Sequence, residues 1–146
     1  MKLWGALYGA IWVVVLEILL GLWPRPPAIV PYFHIVLGLV IVWIAYSNRS
    51  HLNATRVPGR VKRIAGVTFD FSIVMVVLGL VLEFDIGTSW AVLGLSFFQV
   101  LLIFHVVFAL AIITQMAAVA IAYDMWEDHE FEKETIPGEI PARPSP

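Results

Sequence analysis

Residues 31–43 read PYFHIVLGLVIVW, and this stretch decides the fold. From Phe33 to Trp43 every residue but His34 is apolar, and the run continues to Ser47 with no strand-like alternation. About 20 such residues are what a helix needs to cross the hydrocarbon core of a bilayer. Working outward, comparable runs occupy 3–22, 64–84 and 91–122, beside 28–47 for the run that contains His34. The expectation is an all-α membrane protein, a four-transmembrane-helix bundle over residues 1–123, followed by a tail over 124–146. The fourth run is longer than a span needs, which implies tilt or extension beyond the lipid.

Composition agrees. The chain of 146 residues is 60% hydrophobic and 14% charged, with a mean hydropathy of +0.88, whereas a soluble domain carries about a quarter charged residues. The first run follows Lys2 but contains Glu17 and ends at Trp23-Pro24 rather than at a small-residue cleavage site, so it reads as a retained helix, not a signal peptide. The segment 47–63 carries Arg49, Arg56, Arg60, Lys62 and Arg63, and the other two connections together carry only Arg25. The positive-inside rule places this basic loop and both termini in the cytoplasm, with the bundle in the cell (plasma) membrane. The tail is acidic and then proline-containing, and is expected to begin as an exposed extension of the last helix and end disordered. Cysteine is absent, which excludes disulfides, thiolate catalysis and iron–sulfur ligation by this chain. No glycine-rich nucleotide loop is present, and the basic loop reads as topology, not as a nucleic-acid surface.

Ionisable residues inside spans are costly and are functional candidates. Here they are Glu17, His34, Asp70 and His105. His34 lies about seven residues from the outer end of the second span. His105 lies at the same depth in the fourth if that span covers 98–118. The second and fourth helices run in the same direction, so the two imidazoles stand level. Two imidazoles at one depth in a four-helix bundle can supply both axial ligands of a heme held between helices. Gly38 and Ala109 follow one turn after His34 and His105 and leave room for a macrocycle. Phe33, Phe104 and Phe108 either wall such a pocket or face lipid. The bland alternative is that each histidine bonds a neighbouring helix. A closed tetrahedral metal site wants four ligands, and only Glu17 is obviously near. Glu17 has the depth of His34 and either fixes its tautomer, carries protons, or bonds backbone as the neutral acid. For Asp70 the expectation is an interhelical hydrogen bond to Gln115, near Thr114, rather than a proton path. His51 and His129 fall in polar segments and are expected to be solvated. Gly5 and Gly9 form a GxxxG pattern that packs helix one inside the bundle or against a partner.

The strings HIVLGLVIVWIAYSNR (34–49), VMVVLGLVLEF (74–84) and FHVVFALAIITQMAAVAIAY (104–123), with the basic loop between the first two, resemble one half of the heme A synthase family. The resemblance covers roughly residues 28–122. It implies a four-helix unit in which His34 and His105, near the outer ends of the second and fourth helices, are the heme-ligating pair. The substrate-heme half of that family carries a glutamate shortly before the first histidine and an arginine directly after it. Here Ile29-Val30-Pro31-Tyr32-Phe33 precede His34 and Ile35 follows. A resident heme b, passing electrons in or beside a respiratory complex, is therefore the leading expectation. The alternatives are a compact divergent heme A synthase, an oxidoreductase acting on heme o toward heme a, and a cofactor-free accessory subunit of a membrane complex.

Overall fold

The computed structural model describes residues 3–84, 86, 90–92 and 94–135. Four helices account for nearly all of them: α1 (Leu3–Gly21), α2 (Val30–Ala54), α3 (Gly59–Glu83) and α4 (Phe97–Thr135). All four are long and apolar enough to cross a membrane.

The helices extend past the apolar runs at the polar ends. α2 continues seven residues beyond Ser47, and α3 starts at Gly59 rather than at Ile64. Hydropathy marks the part of a helix that suits lipid, not the helix itself. Only 55–58 remains as a turn, and it is tied by side chains. Thr55 Oγ1 donates to the Leu52 carbonyl at 2.7 Å. Lys62 Nζ donates to the carbonyls of Asn53 at 3.1 Å and Thr55 at 2.8 Å, where a cation suits the negative end of α2.

The start of the fourth run differs from expectation. Residues 91, 92 and 94–96 are not helical: β1 (Ala91–Val92) pairs antiparallel with β2 (Leu95–Ser96), and Gly94 lies between them at φ +82°, a conformation glycine adopts without cost. Helix α4 is then started by a reciprocal cap. Ser96 Oγ accepts the Gln99 amide at 3.2 Å, and Gln99 Oε1 accepts the Ser96 amide at 2.9 Å, the capping-box arrangement of S-x-x-Q. At its other end α4 runs on to Thr135. Its 39 residues measure about 58 Å at 1.5 Å per residue, roughly twice the thickness of the hydrocarbon core. The first part of the tail is thus helical, and the expected disorder of its last eleven residues, 136–146, lies outside the described residues.

Each helix packs on its chain neighbours and α1 closes the ring against α4. Among the described residues the diagonal pairs α1/α3 and α2/α4 have no close backbone approach. The core occupies one end and the middle of this square bundle. At the end that carries the 55–58 turn, Leu7, Leu52, Val57, Val61, Ala65, Val119 and Ala120 form one buried cluster. At mid-height Ala10, Val14, Ile41, Ala45, Ile112 and Met116 form a second. Toward the β-hairpin end the packing gives way to a cavity.

Candidate functional site

The buried stripe of α1 is Leu7, Ala10, Val14 and Glu17, spaced three or four apart as one helical face requires. Its last member is a carboxylate, and it lies where the apolar core stops. Beyond it, a cavity of about 560 Å³ opens between the helices, with Glu17, His34, Gly38, Ser72, Gly79, His105 and Ala109 among its lining residues. That volume lies within the range of about 300–1,000 Å³ typical of ligand and cofactor sites. Ser72, 1% exposed, lines it with its hydroxyl already donated to the Thr68 carbonyl at 2.6 Å.

Both intramembrane histidines are in this cavity. Their rings approach to 6.1 Å between centroids, with the planes inclined by 50°, although α2 and α4 are diagonal and do not touch. Each ring rests on a glycine of an adjacent helix. A Cβ on Gly21 of α1 would stand 3.2 Å from His34 Cε1, and one on Gly79 of α3 would stand 3.3 Å from His105 Cε1. Sequence reasoning missed these two glycines. Gly21 precedes the last residue of the first apolar run and Gly79 is the centre of LGL in the third, but neither pattern says what stands opposite.

Glu17 Oε2 lies 3.2 Å from His34 Nδ1. The two are at ion-pair distance but off the hydrogen-bond direction, so both atoms are buried without a formed hydrogen bond; His105 Nδ1 is likewise buried and unbonded. Nε2 of neither ring is among these enclosed, unbonded atoms. Gly38 lines the cavity and also makes room for Glu17. The space above it is taken by Glu17 Oε1, 3.4 Å from a notional Cβ, and by Val76. Gly38 therefore admits the carboxylate, and Ala109 lines the cavity as expected. Phe33 and Phe104 are 56% and 51% exposed and lie outside the cavity lining. Phe108 packs edge-on against Phe71 at 5.0 Å. The lining aromatics are Trp23 and Phe98.

The ring separation is compatible with one ion held between the two imidazoles. With metal–nitrogen bonds of about 2 Å and ring nitrogens about 1.2 Å from the centroid, imidazoles on opposite sides of one ion have centroids about 6.4 Å apart, against about 5.2 Å at a tetrahedral ion. The 6.1 Å found here is close to the first. Among the described residues no group of three or more His, Asp or Glu side chains is disposed to hold a metal by itself. The protein would supply two ring nitrogens here, and any further ligands would have to come with the bound group.

Asp70 is not bonded to Gln115. It pairs with Arg49 at 3.6 Å, and Gln115 Oε1 accepts the Thr68 hydroxyl at 3.1 Å. Residues 68 and 70 lie about 200° apart around a helix, so when Thr68 faces α4, Asp70 faces α2. Arg49 also lies over the Phe69 ring at 5.4 Å. His51 and His129 are exposed, and His51 Nδ1 lies 2.7 Å from the Ser47 carbonyl. Gly5 and Gly9 have nothing within 4 Å of a notional Cβ, so the GxxxG pattern packs no helix within the described part of the bundle.

Comparison with family models, with curated proteins and with solved structures gives no match.

Proposed function

We propose that this protein is a b-type membrane cytochrome, with heme ligated by His34 and His105, that carries electrons in or beside a respiratory complex. The observation that carries the reading is the 6.1 Å approach of two imidazoles inside a largely apolar cavity, from helices that are otherwise apart. When bound, the heme supplies reversible one-electron transfer. The protein's own groups prepare the site for it. His34 and His105 offer neutral ring nitrogens from opposite corners of the bundle. Gly21 and Gly79 let the rings lie against the neighbouring backbones, which fixes their orientation. Glu17 stands 3.2 Å from His34 Nδ1, where a small reorientation would let it accept the Nδ1 proton and leave Nε2 free. The apolar lining would exclude water from a group bound there and so tune its potential.

The basic Pro58 end faces the cytoplasm in this reading, and the membrane is the plasma membrane. The open Gly5 and Gly9 face of α1 is available to a helix of another subunit.

One observation favours the second reading, a compact heme A synthase. A carboxylate stands beside the first histidine, supplied by Glu17 from α1 rather than from the segment before His34. An optical spectrum of the detergent-purified protein, oxidised and dithionite-reduced, with heme typing of the same sample, separates the two. Sharp reduced bands of b type are expected. Heme o or heme a identifies a synthase. A colourless protein after expression with full heme supply overturns both and leaves the cofactor-free subunit.

A further inference from the structure

A second concavity lies at the other end of the bundle, on its outer surface between α3 and α4. It has a volume of about 320 Å³, and Arg60, Arg63, Ile64, Val67, Gln115 and Ala118 line it. The α3 residues are spaced as one helical face, i, i+3, i+4 and i+7. The groove is graded along that face, cationic at Arg60 and Arg63, then apolar at Ile64 and Val67 toward the bilayer centre.

The loop's other cations are differently engaged or placed. Arg49 pairs with Asp70, Lys62 holds two carbonyls of the turn, and Arg56 lies outside the groove. Arg60 and Arg63 are exposed and have no carboxylate partner among the described residues. Their place in the chain makes this costly. Arg60 sits in the first turn of α3, which contains no acidic residue, and Arg63 begins the second, where the positive end of a helix favours anions over cations. Gln115, beside the Thr68 hydroxyl at 3.1 Å, adds a polar amide to the lining.

We propose that this groove binds an anionic phospholipid, its phosphodiester on Arg60 and Arg63 and an acyl chain along Ile64, Val67 and Ala118. Charge complementarity selects the headgroup, and the apolar floor selects a lipid over a free anion. Basic pockets between membrane helices are fitted to acidic lipid headgroups in this way. The site is separate from the cavity of His34 and His105 and does not depend on its function.

The test is native mass spectrometry of the full chain in mild detergent, titrated with phosphatidylglycerol and, for comparison, phosphatidylcholine. Phosphatidylglycerol is expected to bind preferentially, and Arg60→Gln with Arg63→Gln to weaken it roughly thirtyfold. Arg56→Gln should leave binding unchanged. Ala118→Trp fills the exposed groove without entering the core and should weaken binding while both arginines remain. Equal affinity in wild type and the double variant overturns the site, as does an equal loss with Arg56→Gln, which would mean diffuse charge alone. Unchanged binding in Ala118→Trp overturns the seating of the chain. Displacement of phosphatidylglycerol by millimolar inorganic phosphate would show an anion site and overturn the lipid assignment.

Discussion

His34 and His105 face one another at 6.1 Å across the diagonal of the bundle, between helices α2 and α4 whose backbones do not approach closely. If an iron is shared there, each ring supplies an axial bond the other cannot replace. His34→Ala and His105→Ala should each abolish the low-spin heme spectrum, and His51→Ala, a change at an exposed ring outside the cavity, should leave it intact. Heme content per protein, measured on the three variants, checks this. Normal content in either single cavity variant removes the ligand assignment.

The glycines under the rings give an independent test. At Gly21 and Gly79 an added methyl would press on Cε1 at 3.2 and 3.3 Å, so Gly79→Ala should displace the ring by a few tenths of an ångström and lower heme affinity. Gly79→Leu and Gly21→Leu should eliminate binding. Gly66, on the same helix as Gly79, has nothing within 4 Å of a notional Cβ. Gly66→Ala should therefore keep the heme and gain about 0.5–1 kcal/mol of helix stability. Heme retention and thermal midpoint, measured together, separate the two positions.

Glu17 is 9% exposed and lies against His34 Nδ1 at 3.2 Å. A carboxylate there makes the ligand ring more electron-donating and favours the oxidised iron. Glu17→Gln keeps the shape and removes the charge. It should retain heme and raise the reduction potential by an amount on the order of tens of millivolts. A redox titration reads the shift, and an unchanged potential would mean that Glu17 only packs under Gly38.

The legible part of this structure was its hydropathy. Four apolar runs were enough for four helices, and the depth of His34 and His105 was enough to put them level. What was not legible depends on which way a helix turns. The segment 91–96 reads as apolar as a span, yet the S-x-x-Q cap at Ser96 and Gln99 starts the helix after it, and that four-residue signal was available. Gly21 and Gly79 matter because of what stands opposite them, which no single-helix pattern reports. Gly38 lines the cavity as its position one turn after His34 suggests, but its contact with Glu17 Oε1 comes from another helix and was not legible in the sequence.

Asp70 shows the same limit, and it carries a quantitative prediction. Its depth matched that of Gln115, but depth does not fix azimuth, and on α3 it is Thr68 that turns toward α4. The Arg49–Asp70 pair has side chains 42% and 66% exposed, and exposed pairs contribute about 0.2–1 kcal/mol. A double-mutant cycle with Arg49→Gln and Asp70→Asn should give a coupling energy within that range. The cycle of Asp70→Asn with Gln115→Ala should give none, because the two side chains have separate partners. The coupling that should appear instead is between Thr68→Val and Gln115→Ala. Thr68 is 4% exposed, and its hydroxyl is shared between Gln115 at 3.1 Å and the Ile64 carbonyl at 2.9 Å, so the coupling should be that of an ordinary hydrogen bond, about 0.5–1.5 kcal/mol. Unfolding in detergent, followed by circular dichroism, measures all three cycles. A coupling of Asp70 to Gln115 larger than that of Thr68 would reverse the azimuth assigned to α3, and with it the placement of Gly79 under His105.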